Sequence, residues 1–142
     1  MAATKTWDLK EQKTIIGPYA LKGEAEDGDV VIVARDEQTF TKGVGATGEV
    51  VRSKTNNRAG TITIRLMQTS EMNASMSIIM ASDELANSGI VPFTSIDNAG
   101  YDVHIAPEIW LQKPPDGVYG KAAGTREWIF DAADLDMFFG GN

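Results

Sequence analysis

Apolar residues fall on alternate positions through most of this chain and change to a helical spacing once. The segment that holds the change, residues 60–89 (GTITIRLMQTSEMNASMSIIMASDELANSG), organises the rest. It begins as a strand, with Ile62, Ile64 and Leu66 on one face and Thr61, Thr63 and Arg65 on the other. The period then lengthens. Thr69 or Ser70 offers an N-cap, Glu71 puts negative charge in the first turn and Gly89 marks a stop, so a helix is predicted over 70–88. At about 100° per residue, Met72, Met76, Ile79 and Met80 share one face, and Ala74, Ile78, Ala81 and Leu85 lie nearly opposite. A small domain covers one apolar stripe with its own sheet, and a second stripe asks for another surface. The soft face of Met72, Met76, Ile79 and Met80 suits a repeated contact with a neighbouring subunit as well as a core. The alternative is a helix sunk in a groove and covered on both sides by its own chain.

Before this segment, residues 1–12 read as a polar arm carrying Trp7 and Leu9. Residues 13–17 form a short strand, bent at Gly17-Pro18 and resumed through Leu21. Residues 23–29, GEAEDGD, make an acidic turn in which Asp27-Gly28 favours a hairpin connection, and an apolar strand follows over 30–34. Residues 36–58 are read as one long hairpin loop. Within it Gly43, Gly45 and Gly48 match G-x-G-x-x-G. That motif cradles a pyrophosphate only where a strand leads in and a helix opens inside it. Here Glu49-Val50-Val51-Arg52 continues as strand and Asn56-Asn57 and Gly60 signal turns, which removes the dinucleotide reading. Loops of this length in a small domain are functional or ordered by a partner.

After the helix the two-residue period returns. Val91, Phe93 and Ile96 mark a strand broken by Pro92, and Asn98-Ala99-Gly100 a turn. Over 101–105, Tyr101, Val103 and Ile105 fall on one face and Asp102 and His104 on the polar one. Residues 109–112 extend through Trp110 and Leu111, and Lys113-Pro114-Pro115-Asp116-Gly117 stops pairing. Over 125–132, Trp128 and Phe130 oppose Glu127, Ile129 and Asp131. The tail holds Leu135, Met137, Phe138 and Phe139, and the last two are expected to help seat the C-terminus. The sum is a mainly β, α+β domain over 1–142: a β-sandwich or barrel of six to eight short strands with one flanking helix.

Length and composition narrow the function. With 142 residues, 42% of them hydrophobic, the chain builds one modest core. No apolar run approaches the ~20 residues of a membrane span, so no membrane anchor is expected, and the first residues lack a signal-peptide stretch. There is no cysteine, hence no disulfide and no thiolate metal site, and a cytoplasmic compartment is the simplest expectation. A net charge of −7 argues against a surface that grips nucleic acid. The one histidine, His104, has no second imidazole to share a metal and no motif that makes it a base, so it reads as solvated or hydrogen-bonded. Acid pairs such as Asp134 and Asp136 fall short of a calcium loop. No catalytic residue, metal site or cofactor is expected.

Several segments together resemble a known family. The run from Gly60 to Ser70 with Asn73-Ala74, the Lys113-Pro114-Pro115-Asp116 turn, Gly124-Thr125-Arg126-Glu127-Trp128-Ile129-Phe130-Asp131, and Asp136-Met137-Phe138-Phe139-Gly140 look like the tail tube family of contractile-tailed bacteriophages, in order and with similar spacing. The resemblance implies two packed sheets with a flanking helix and six copies in a ring, their sheets joined into an inner barrel. Rings stack head to tail and the long hairpin reaches into the adjacent ring. It further implies sheath, tape-measure and baseplate or terminator proteins as partners, and a virion subunit assembled in host cytoplasm. DNA then passes through the lumen without specific binding. Six chains at −7 give a ring a formal −42, and a bore that is not basic does not trap phosphate.

On this reading Met72, Met76, Ile79, Met80, Phe138 and Phe139 form the subunit interface. Phe40, Gly43, Val44, Gly45, Gly48, Val50, Arg52 and Arg58 belong to the loop between rings. Two alternatives share parts of the pattern. A secretion-system tube subunit would have the same fold and carry other cargo; a monomeric small-ligand-binding β-barrel would need an apolar interior pocket.

Overall fold

A computed structural model describes residues 4–25, 28–99 and 101–141. Among these, the strands are β1 (Gln12–Ile16), β2 (Tyr19–Ala20), β3 (Val31–Arg35), β4 (Phe40–Val44), β5 (Val50–Lys54), β6 (Gly60–Met67), β7 (Val91–Asp97), β8 (Val103–Leu111), β9 (Thr125–Ala132) and β10 (Asp136–Phe138). One α-helix, α1 (Met72–Ala86), separates β6 from β7. The predicted turns at Asp27-Gly28 and Asn98-Ala99-Gly100 each include a residue outside the described ones. The fold is mainly β with a single helix.

Eight strands form one antiparallel sheet: seven lie along a continuous path in the order β2-β1-β7-β8-β9-β6-β3, and β10 pairs with β8 off that path. Strand β8 carries the turn of that path. Its first half pairs with β10 (Val103↔Phe138) and its last three residues with β9 (Leu111↔Phe130), while β7 runs along its other edge. Strands β4 and β5 pair only with each other. The core lies where the inward residues of β6 (Ile62, Ile64, Leu66) meet Trp128 and Phe130 of β9, Phe93 of β7, and Met72, Met76 and Ile79 of the helix. Strand β6 shows strict alternation, every second residue buried, as its period of two requires.

The helix is two residues shorter at each end than the 70–88 span. Ser70 still serves its first turn by accepting the Met72 N–H at 3.2 Å. At the far end Asn87, not Gly89, takes the left-handed conformation (φ 54°, ψ 38°) and donates its N–H to the Asp83 carbonyl. Gly89 is needed for space instead: a Cβ there would sit 2.9 Å from the Ile79 carbonyl oxygen.

Two expectations are corrected here. The face of Met72, Met76, Ile79 and Met80 does not look outward. Met72, Met76 and Ile79 are buried in the chain's own core and Met80 packs against it, because this stripe is the one that lies on the sheet. The uncovered stripe is the opposite one, where Ile78 is 60% and Leu85 88% exposed. The face of His104 is also reversed: His104 is buried and Ile105 exposed. The cause is a bulge. Val91 pairs with Ile109 and Phe93 with Ala106, so three steps on β8 match two on β7, and the residues on the two sides of Pro107-Glu108 change phase.

Candidate functional site

The most exposed structured element is the hairpin of β4 and β5, all ten of whose strand residues face solvent. It is nested inside the β3–β6 pair. Asp36 N–H reaches the Ala59 carbonyl at 3.1 Å and Thr55 N–H the Thr39 carbonyl at 2.8 Å, so the ladder continues past the end of the sheet. Its turn is closed by Gly45 N–H to the Glu49 carbonyl at 2.7 Å, with Gly48 at φ +90°, a conformation that suits glycine. The G-x-G-x-x-G spacing thus runs through a strand and a hairpin turn into β5. Phe40, Gly43, Val44, Gly45, Gly48, Val50 and Arg52 all sit on this finger, and the Arg52 guanidinium lies 4.2 Å over the Phe40 ring.

Arg58 does not belong with them. Its Nε lies 2.8 Å from Asp134 Oδ1 and its Nη2 pairs with Asp136, so it clamps the finger's base to the C-terminal strand. Arg35 reinforces the clamp, donating from Nε and Nη2 to the Leu135 carbonyl at 3.0 and 2.9 Å. The seat of the C-terminus is therefore fully buried Leu135 with Met137 packed behind it, while Phe138 and Phe139 are each 65% exposed. Composition gave no hint of Arg35; only its position beside the Gly60 end of β6 makes it a clamp.

Asn73 is the residue the sequence reading undervalued. Its side-chain amide donates to the carbonyls of Met67 (2.9 Å), Gln68 (3.3 Å) and Ser70 (3.1 Å), and its Oδ1 accepts from Trp128 Nε1 at 2.9 Å. It ties the end of β6, the start of the helix and β9 together. An amide in the first turn of the helix, between the apolar Met72 and Ala74 and just after a strand, was the available signal.

A cleft of about 570 Å³ lies beside β3, walled by Trp7, Leu9, Ile32 and Phe139 and floored by Ser95 and His104. The Ser95 hydroxyl is engaged by Gln12 and lies 3.3 Å from Thr14 Oγ1, not paired with the imidazole. His104 stacks edge-on to Phe139 at 4.9 Å, and its Nδ1 is buried without a hydrogen-bond partner. Burial holds its pKa below the ordinary 6.5, opposed by the nearby Asp102 carboxylate. The sign follows from proton binding. As pH falls through 6.5 the unfolded chain takes up a proton that the folded chain refuses, so stability falls, and the loss is complete below the folded pKa. Thermal unfolding followed from pH 7 to pH 5 should show a falling midpoint that is flatter in His104→Gln; equal slopes would refute it.

Residues 14–140 match the family model of the bacteriophage PhiTE tail tube protein. The chain is 30% identical over 126 residues to structural protein ORF10 of Pseudomonas phage KPP10, covering 87% of this chain and 72% of that one. Its fold is similar to the tube-terminating cap of the anti-feeding prophage (TM-score 0.66, 8% identity, 98% of this chain and 95% of that one). It is also similar to the sheath/tube terminator of the PVC extracellular contractile injection system (TM-score 0.63, 11% identity, 96% and 99%). At those identities the likeness is one of fold. The chain belongs to the bacteriophage PhiTE tail tube protein family, a structural component of the phage tail.

Proposed function

We propose that this chain is the repeating subunit of the tube: six copies close into a ring, rings stack head to tail, and viral DNA leaves through the bore without specific binding. Sheath surrounds the polymer, and tape-measure, terminator and baseplate proteins meet it inside and at its ends. Assembly precedes release and takes place in the host cytoplasm. The observation that carries this reading, beside family membership, is how much apolar surface the fold leaves uncovered on two separated elements. Ile78 and Leu85 run along the open side of the helix, and Phe40, Val44, Val50 and Val51 lie on a finger that touches little of its own domain. Monomeric proteins seldom leave such patches, and covering them with further copies removes an aggregation hazard. The helix contact within the ring uses Ile78 and Leu85, with Phe138 and Phe139 of the tail on a second contact.

Negative-stain microscopy and size-exclusion chromatography of the purified chain test this. The wild-type chain is expected to give rings or tubes. Leu85→Asp with Ile78→Asp is expected to stay monomeric with an unchanged circular dichroism spectrum, because both positions are on the surface and change fold stability by only about 0.5 kcal/mol each. A double variant that polymerises like wild type would remove the helix from the interface.

A further inference from the structure

Strand β3 ends the sheet path and is bonded on one side only, to β6. The register fixes which of its groups are spare. Arg65 donates its N–H to the Val30 carbonyl at 2.9 Å and Asp36 donates to the Ala59 carbonyl, so Ile32 and Ala34 turn their main chain toward β6. Val31 and Val33 turn theirs the other way, and among the described residues nothing bonds to those N–H and C=O groups. Native folds blunt a free edge with proline, a bulge or charge. Over residues 31–34 this edge has none of the three. It opens into the cleft walled by Trp7, Leu9 and Phe139.

A second observation lies on the finger. Gly43 sits in the middle of β4, directly opposite Val51, outside the left-handed region, and a Cβ there would meet nothing within 4 Å. The free subunit gives no reason for glycine at this position, where it costs about 0.5–1 kcal/mol relative to alanine. Glycine inside a strand marks a place that another backbone approaches closely. The finger's own bonds, Thr55 N–H to the Thr39 carbonyl and Gly45 N–H to the Glu49 carbonyl, leave the main chain of Phe40, Lys42 and Val44 free on the outer side of β4. Thr41, Gly43, Val51 and Ser53 make one face of small groups, and Lys42 and Arg52 project from the other.

We propose that β4 of one copy's finger adds as a strand to the free edge of β3 in another copy, with Gly43 turned into the cleft. An extended strand is what such an edge binds: main-chain bonds give affinity and alternate side chains give fit. The small face goes inward, because the other would bury Lys42 and Arg52. Length selects the finger. Among the described strands with a free edge, β2 has two residues and β10 three, whereas β3, β4 and β5 have five each, and Gly43 selects β4 over β5. The same copy's finger is excluded, since the Asp36–Ala59 and Thr55–Thr39 bonds carry it on past the end of β3. Pairing β3 with β3 would close a two-fold dimer and stop there, whereas β4 on β3 joins different patches and repeats into an open polymer. Every copy presents one such edge and one finger, so identical copies cover them all. The inference rests on the tube reading and assigns the residues and chemistry of one contact within it.

Pelleting of the purified chain over a concentration series tests this. Gly43→Val should raise the critical concentration by about tenfold or more. The melting temperature of the free subunit should stay level or rise in that variant, because valine suits an isolated strand better than glycine. Lys42→Pro removes an outward N–H and should weaken assembly about as much, whereas Lys42→Ala keeps that N–H and should assemble within about twofold of wild type. Circular dichroism shows whether each variant is folded; these should be, since the residues of β4 are exposed. Hydrogen exchange across residues 31–34 should slow by about tenfold or more when wild type polymerises. Gly43→Val or Lys42→Pro assembling like wild type would overturn the inference. So would Lys42→Ala losing as much as Lys42→Pro, or exchange at residues 31–34 that is as fast in the polymer as in the free subunit. A wild-type chain that forms no polymer at any concentration refutes the tube reading itself, a result distinct from all of these.

Discussion

Met76→Asp is expected to leave no folded subunit. Met76 is fully buried between the helix and the sheet, within the cluster that includes Ile64 and Phe130. A carboxylate there either stays charged without a partner or takes up a proton, and both are costly in an apolar site. The change also gives up the packing of the thioether chain. The total is at least about 4 kcal/mol, comparable with the ~5–15 kcal/mol that holds a typical domain together. Circular dichroism and analytical ultracentrifugation of the purified variant would show it: an unfolded or aggregated chain is the expected outcome. A folded monomer that merely fails to polymerise would place Met76 at a subunit contact after all. Leu85→Asp, one face away on the same helix, is the matched control.

The second large effect is expected at Trp128. This residue is buried, pairs across the ladder with Ile64 and donates Nε1 to Asn73 Oδ1. Trp128→Ala empties a large volume at the junction of helix and sheet and leaves an acceptor of Asn73 unpaired. Truncation of this kind costs about 3–5 kcal/mol, with the orphaned acceptor adding about 1–3 kcal/mol where water does not reach it. Trp128→Phe separates the two contributions, keeping most of the ring while losing the hydrogen bond, and should cost about 1–2 kcal/mol. Urea unfolding of the three proteins measures this. Equal losses in the two variants would mean that the hydrogen bond, not the volume, holds the junction.

Most strands were legible because alternation is a strong local signal wherever one face is buried. Ile62, Ile64 and Leu66 on β6 and Trp128 and Phe130 on β9 fall on the inward face as their spacing predicts. The finger was legible as a hairpin from its glycines and the strand pattern after Glu49, and the family from several segments agreeing in order. His104 was misread for a specific reason. Alternation gives two faces but not which of them is inside, and one extra residue at Pro107-Glu108 exchanges them. Arg58 was misread because nothing local distinguishes an arginine at the base of a loop from one at its tip. Its partners, Asp134 and Asp136, lie more than seventy residues away in the chain.

By itself the sequence determined most of the strands and the one helix to within a few residues, the mainly β class, the acidic charge and the kinship with tube proteins. These depend on near-neighbour spacing, turn chemistry and the order of segments, which the chain carries locally. The tertiary structure alone decided which of the helix's two apolar stripes is buried on the sheet and which is left uncovered. Both stripes satisfy the same helical period, and only the position of the sheet, built from strands on both sides of the helix in the chain, breaks the tie. The same holds for the finger. Its three cations are visible in the sequence, but their common face comes from the register of β4 on β5.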